Sequence, residues 1–358
     1  MRIYQIVTSL SFGDAVGNDL MALQKVIEEI ADESGIFADH IDPRLPEGIA
    51  QTTDCMPQLR EDDVVIYHMA CGTPMSEMFG NLPCKRVMRY HNITPPEFFH
   101  GYDAGSEETC QNGYEQLEWL KDKVDYCLAV SEYNKSDLRR IGFSCKIDIL
   151  PILVPFSDYD KTPAANIIEQ YTKDGWLNIL FVGRIVPNKK HEDLVRVLKA
   201  YQDNYQKKAR LILVGSSRET DLYLARLKRY IKELGLTKED VVFPGHIKFD
   251  EILAFYKAAD VFLCQSEHEG FCVPLVEAMY LGTPIIAYDA SAIKDTLGGA
   301  GILMDTKDYL VTAGMIDRLV HDTELRKDVL DNQKERLKDF SFDVIAEQFR
   351  TLLKENVL

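Results

Sequence analysis

The chain has 358 residues, 46% of them hydrophobic and 27% charged, which suits two globular domains and excludes a disordered or fibrous protein. Its formal net charge of −16 excludes general binding to nucleic acid or anionic lipid, so a phosphate-bearing ligand must be held locally, by a few cations and backbone amides. No run of about 18 apolar residues is present, and none of the eight cysteines forms a Cys-x-x-Cys pair, so neither a membrane span nor a structural zinc site is expected.

Strand-like and helix-like runs alternate along the chain, the pattern of parallel sheets covered by helices. The opening run Ile3–Leu10 is too short for a signal peptide and reads as a first strand. A helix follows over about Asp19–Glu33, where Leu20, Leu23, Ile27 and Ile30 recur at helical spacing. Further strands are read at Asp63–His68, Arg86–His91, Asp125–Ser131 and Lys146–Leu150. The run Pro151-Ile152-Leu153-Val154-Pro155 then closes a first domain, residues 1–155. The second, residues 156–340, has strands at Asn178–Gly183, Arg210–Gly215, Val241–Gly245, Val261–Gln265, Pro284–Tyr288 and Gly301–Met304. The tail 341–358 reads as an amphipathic helix with Ile345, Phe349 and Leu352 on one face. Open parallel sheets place ligand crevices at the carboxyl ends of their strands, so two such sheets facing each other would share a cleft.

The strongest constellation is Glu269-Gly270-Phe271-Cys272-Val273-Pro274-Leu275-Val276-Glu277, which follows the strand Val261–Gln265. Pro274 suits a helix's first turn and Gly282 its end, which puts Glu277 in the first turn and Glu269 in the loop. Amides at such a helix start can hold a phosphate, and a carboxylate can accept from two vicinal hydroxyls. Two glutamates on their own read as solvated charges, one of them helped by the helix dipole; the surrounding Gly, Phe and Pro shift the reading towards a site. Upstream, Arg184 and Lys189 lie just past the strand Asn178–Gly183, where two cations can neutralise a leaving diphosphate or simply decorate a charged turn. The loop Ser11–Asp19 offers Gly13 for close backbone approach, or a strand–helix turn with Asp14 or Asn18 as cap. His91 ends a strand; His68, at the end of the preceding one, is a weaker candidate of the same kind, and Ser131 reads as structural.

The segment Glu269–Glu277 resembles the E-x(7)-E motif of glycosyltransferase family 4, in its E-G-F-x-x-P-x-x-E-A form. Phe181-Val182-Gly183-Arg184-Ile185-Val186-Pro187-Asn188-Lys189 is similar to the family's G-R-x-x-x-x-K loop, and Val241–Ile247 to the stretch whose backbone faces the nucleobase. The wording Gly13-Asp14-Ala15-Val16-Gly17-Asn18-Asp19 resembles a subgroup that includes O-antigen mannosyl- and rhamnosyltransferases. The resemblance implies an α/β chain of GT-B type, with two Rossmann-like domains facing each other across a cleft and the last helix crossing back to the first domain. It implies a retaining, metal-independent transfer of a hexose from a nucleotide-diphosphate sugar, GDP-mannose favoured, to a saccharide or lipid-linked saccharide, without a cofactor. The catalytic candidates it implies are His91, Glu269, Arg184 and Lys189. Its donor contacts are Gly13, Asp14, Gly183, Arg184, Lys189, Ile247, Glu269, Gly270, Phe271, Cys272, Leu275, Val276 and Glu277. Glu269 would orient the sugar ring, Glu277 the ribose, and His91 would bind the transferred sugar or its developing charge. Two departures stand out: Gly13-Asp14 replaces the usual Gly-Gly pair, and Cys272 occupies a position that is glycine in many members.

A nucleotide-sugar epimerase and an inert nucleotide-sugar-binding partner subunit are the alternatives. Cysteines inside apolar runs, such as Cys127 and Cys264, read as reduced core thiols of a cytoplasmic protein. The net charge of −12 in residues 1–150, 13 basic against 25 acidic side chains, argues against strong adsorption to anionic lipid, so a mainly soluble protein is expected. The clusters Lys85/Arg86/Arg89 and Lys135/Arg139/Arg140 are where weak contact with lipid headgroups at the membrane's inner face would occur. The oligomeric state is not legible.

Overall fold

In the computed structural model, which describes residues 1–217, 221–245 and 247–357, the chain divides into two compact units. Unit 1 comprises Met1–Pro96, Gly105–Pro155 and Asp339–Leu358; unit 2 comprises Glu97–Ala104 and Phe156–Lys338. Residues 97–104, which the sequence reading places in the first domain, therefore group with the second.

Unit 1 holds β1 (Arg2–Leu10), β2 (Glu33–Ile41), β3 (Gln51–Thr52), β4 (Val64–Met69), β5 (Lys85–Tyr90), β6 (Tyr126–Ala129) and β7 (Lys146–Ile149). They form one parallel sheet in the order β3-β2-β1-β4-β5-β6-β7. Every residue of β4 and β6 is buried, as expected of central strands covered on both faces. Chain order reverses between β1 and β4, so the ends of these two strands are a topological switch point. The helices are α1 (Ala15–Ile30), α2 (Pro74–Gly80), α3 (Ala104–Leu120) and α4 (Glu132–Ile141).

Three details differ from the sequence reading. Helix α1 starts at Ala15 because the Asp14 side chain accepts the Gly17 N–H at 3.2 Å, and it ends before Glu33, which already belongs to β2. Strand β2 escapes the periodicity because only Ile36, Phe37 and Ala38 are buried in it, next to the two-residue edge strand β3. The Lys85/Arg86/Arg89 cluster is not a surface patch. Arg89 is fully buried and forks onto Asp19, at 2.9 Å and 3.2 Å, and Arg86 caps the Asp125 carboxylate. In the other cluster Arg139 donates to the Phe143 and Cys145 carbonyls and Arg140 pairs with Asp137. Ser131 caps α4 by accepting the Asn134 N–H.

Unit 2 holds β8 (Leu177–Val182), β9 (Ala209–Val214), β10 (Val241–Gly245), β11 (Val261–Cys264), β12 (Ile285–Tyr288) and β13 (Ile302–Met304). They make a second parallel sheet, β10-β9-β8-β11-β12-β13, whose order reverses between β8 and β11. Its helices are α5 (Ala165–Thr172), α6 (His191–Asn204), α7 (Asp221–Glu233), α8 (Phe249–Ala258), α9 (Val273–Leu281), α10 (Ile293–Leu297), α11 (Tyr309–His321) and α12 (Thr323–Leu337).

The final helix α13 (Phe342–Asn356) belongs to unit 1. It buries Ile345, Ala346, Phe349 and Leu353, so Leu353 rather than Leu352 continues the apolar stripe. Gln348 donates to the Ile149 carbonyl at 2.8 Å and Lys146 to Asn356 at 2.6 Å, which ties the helix to the β7 edge. Among the described residues no helix is long and apolar enough to cross a membrane.

Candidate active site

The switch point of unit 2 brings together most of the residues singled out there. The chain leaves β8 through Gly183 and the exposed Arg184, makes a single tight turn at Pro187–Lys189, and enters α6 at His191. From β11 it passes through Gln265–Cys272 into α9. Two bonds zip these loops together. Asn188 donates its side-chain amide to the His268 carbonyl at 3.0 Å, and the Glu267 N–H donates to the Asn188 carbonyl at 2.9 Å.

Held this way, Lys189 Nζ donates to Glu269 Oε2 at 2.5 Å. Burial alone would lower the Lys189 ammonium; the Glu269 carboxylate outweighs it and the net shift is upward. Glu269 is buried, and its backbone is pinned from both sides. Its N–H donates to Ser291 Oγ at 2.7 Å and its carbonyl accepts from the Ala292 N–H. Its second oxygen, Oε1, has no hydrogen-bond partner among the described residues. A buried carboxylate with one satisfied and one bare oxygen is a ready acceptor for a ligand hydroxyl.

Cys272 adopts φ 71°, ψ 66° at the N-cap of α9, a left-handed conformation that favours glycine. Pro274 sits in the first turn of α9 and Gly282 ends it in a left-handed cap. Because α9 begins at Val273, Glu277 lies one residue beyond the first turn rather than in it. Its two oxygens accept from Tyr159 and Tyr256 hydroxyls, each at 2.7 Å, and burial pushes this carboxyl above its ordinary value despite those bonds. Leu275 and Val276 are buried, and the Leu275 N–H donates to the Cys272 carbonyl at 3.0 Å. Phe271 is likewise buried and Gly270 half-exposed. Ile247 is half-buried; its neighbour His246 lies outside the described residues.

Several participants were not legible. Lys307 reaches Asp193 at 2.6 Å and Glu267 at 2.8 Å, and Lys190 reaches Glu267 at 3.0 Å, so the loop after β11 is tied down by three lysines counting Lys189. Gly215 follows β9 at a point where a Cβ would collide with the Gly183 carbonyl oxygen, so the two strand ends approach closely only because glycine stands there. Phe98, of the segment 97–104, packs beside His268 with ring centroids 6.2 Å apart and under the Lys190 ammonium. None of these carries a sequence signal beyond a strand end or a charge.

His91, Gly13 and Asp14 belong to unit 1. Gly13 has φ 75° with open space around its Cα, and Asp14 is the α1 cap. His91 is buried at the end of β5. Its Nε2 lies 2.9 Å from His68 Nδ1, and His68 Nε2 lies 2.9 Å from Gln5 Oε1. Burial holds both imidazoles well below their ordinary value, with His91 adding to the effect at His68 and Arg89 at His91. Asp19, the end of the Gly13–Asp19 motif, sits 3.7 Å from His91 Nε2 and is paired with Arg89.

The chain is similar to known proteins in sequence and in fold. Residues 165–336 match the family model described as glycosyl transferases group 1. The O-antigen chain mannosyltransferase B of Escherichia coli is 24% identical over 62% of this chain. The D-inositol 3-phosphate glycosyltransferase of Corynebacterium jeikeium is 30% identical over 66%. In both cases the match spans 58% of the relative's own length. Among solved structures, Anabaena HepE in complex with UDP-glucose superposes with a TM-score of 0.77 at 17% identity, over 99% of this chain and 100% of that one. Residues 165–336 thus resemble the glycosyl transferases group 1 family, and the two parallel-sheet units have the GT-B fold.

Proposed function

We propose that the chain transfers a hexose, with retention at the anomeric carbon, from a nucleoside-diphosphate sugar to a saccharide or lipid-linked saccharide. The observation that carries this reading is the Glu269 carboxylate, held by Lys189 through one oxygen and bare at the other, at the switch point of a parallel sheet. Glu269 Oε1 accepts from a donor sugar hydroxyl, and the Lys189 and Arg184 cations neutralise the departing diphosphate, so the step needs no metal. Glu277 holds the ribose with the lone pairs that Tyr159 and Tyr256 leave available. His91 binds the transferred sugar. The departing phosphate helps deprotonate the acceptor hydroxyl on the same face of the sugar. The working place is the cytoplasm, with at most weak contact at the membrane's inner face.

GDP-mannose is the favoured donor; the likeness to the E. coli mannosyltransferase supports it, and the fold likeness to HepE makes UDP-glucose the competitor to test. The purified chain is warmed with GDP, UDP or dTDP, then incubated with each matching nucleotide sugar, with and without acceptor saccharides. The reading expects the largest thermal shift with GDP and turnover of GDP-mannose that depends on acceptor. A larger shift with UDP overturns the choice of donor. Sugar conversion without acceptor identifies an epimerase, and binding without any turnover identifies an inert partner subunit.

A further inference from the structure

We propose that Cys264, Glu269 and Cys272 form a binding site for one thiophilic divalent cation, of the zinc or cadmium type, in the loop between β11 and α9 of unit 2. Cys264 is the last residue of β11 and Cys272 the N-cap of α9, so the loop between them closes on itself and brings the two thiols together. One ligand atom from each of the three residues lies within 4.8 Å of the other two. All three residues are buried, and the carboxylate oxygen left bare, Glu269 Oε1, is a polar atom with no partner among the described residues.

Sulfur and oxygen donors at this spacing suit a tetrahedral ion with bonds of about 2.3 Å to sulfur and about 2.0–2.2 Å to oxygen, after small side-chain rotations. Three protein ligands leave one position open for water. Lys189 does not compete, because it bonds Glu269 through Oε2. The charges also close. Binding releases both thiol protons to solvent, and the resulting two thiolates with the Glu269 carboxylate balance the divalent ion with the Lys189 ammonium. A buried site of net zero charge avoids the desolvation penalty that an unbalanced ion would meet.

A filled site takes the Glu269 carboxylate away from any sugar hydroxyl. That inhibitory consequence rests on the function proposed above; the cation site itself does not. The test is a titration of the reduced full chain with cadmium, read by the ultraviolet sulfur-to-cadmium charge-transfer absorption. It uses a Cys145→Ser background, because Cys127 and Cys145 hold their sulfurs 3.6 Å apart and would bind cadmium on their own account. One ion per chain is expected, with the absorption lost in Cys272→Gly, a change that suits the left-handed backbone and keeps the fold. Cys264→Ala should lose it as well, and Glu269→Gln should weaken binding while keeping the band. Absence of the band in the parent, or an unchanged titration in Cys272→Gly, overturns the site. Because no nucleotide enters the measurement, that failure is separate from failure of the transferase reading.

Discussion

His68 Nδ1 accepts a hydrogen bond from His91 Nε2 across 2.9 Å, and the direction of that bond is fixed by a main-chain carbonyl at the far end of the relay. Gln5 points its Nε2 at the Leu20 carbonyl, 3.1 Å, and at Gln24 Oε1, 2.9 Å, which only the amide nitrogen can satisfy. Gln5 Oε1 therefore faces His68, whose Nε2 must carry the proton. His68 is neutral, so its Nδ1 is bare and accepts from His91. His91, also neutral, is left with a bare Nδ1 that has no partner among the described residues. Under the proposed function, this bare nitrogen would accept a hydroxyl hydrogen of the sugar and could not donate a proton to developing charge.

The first prediction follows from this relay. Nitrogen-15 NMR of the histidine side chains should show His91 protonated at Nε2 only. His68→Phe should orphan Gln5 Oε1 and the His91 N–H, each at about 1–3 kcal/mol of stability in urea unfolding. An Nδ1-protonated His91 in the parent chain would sink the assignment.

A second prediction concerns Lys189 and Glu269. Removing either partner leaves a buried charge uncompensated, so Lys189→Met or Glu269→Gln should each destabilise unit 2, Lys189→Met by up to about 3–5 kcal/mol because it leaves a carboxylate. The double variant should cost less than the sum of the two. Additive effects in the cycle would show that the pair is not coupled. Transfer should fall about 10–100-fold in Glu269→Gln if one charged hydrogen bond to the sugar is lost.

The second sheet and the α9 start were legible because they rest on local signals. Apolar runs such as Val261–Cys264 are buried on both sides, and Pro274 and Gly282 bracket a short helix. What could not be read rests on contacts between distant residues. Glu277 looked like a first-turn carboxylate, yet its partners Tyr159 and Tyr256 come 118 and 21 residues away in sequence. Arg89 looked like one cation of a basic cluster, and only the fold brings Asp19 to it across 70 residues. The strand β2 is not legible because only three of its nine residues are buried.

A third prediction isolates the backbone at Cys272. Its φ of 71° penalises any side chain by about 1–2 kcal/mol. Comparing truncations removes the thiol from the question: Cys272→Gly should be more stable than Cys272→Ala by about 1 kcal/mol, the reverse of the usual order. Equal unfolding midpoints for the two variants would show that the loop relaxes out of the left-handed region.

The last prediction is a pH dependence. His68, His91 and His191 are all buried and held below their ordinary 6.5, His191 by burial and by Lys189, down to about 3. A base whose folded value is depressed stays neutral in the folded chain while the unfolded chain takes up a proton. The contribution to stability is therefore complete above pH 6.5 and falls as pH drops below it, until the folded values are reached. Well inside that window each histidine removes about 1.4 kcal/mol per pH unit. Protonating carboxylates pull the same way, so the slope alone does not identify the groups. His191→Phe does. Neither ring nitrogen of His191 has a hydrogen-bond partner among the described residues, and the ring packs edge-on against Phe181 at 5.1 Å, so an aromatic replacement keeps the contact and deletes the proton site. Urea midpoints measured above and below pH 6.5 should fall less steeply in His191→Phe, by one histidine's share; an unchanged slope would mean that His191 titrates near its ordinary value in the folded chain.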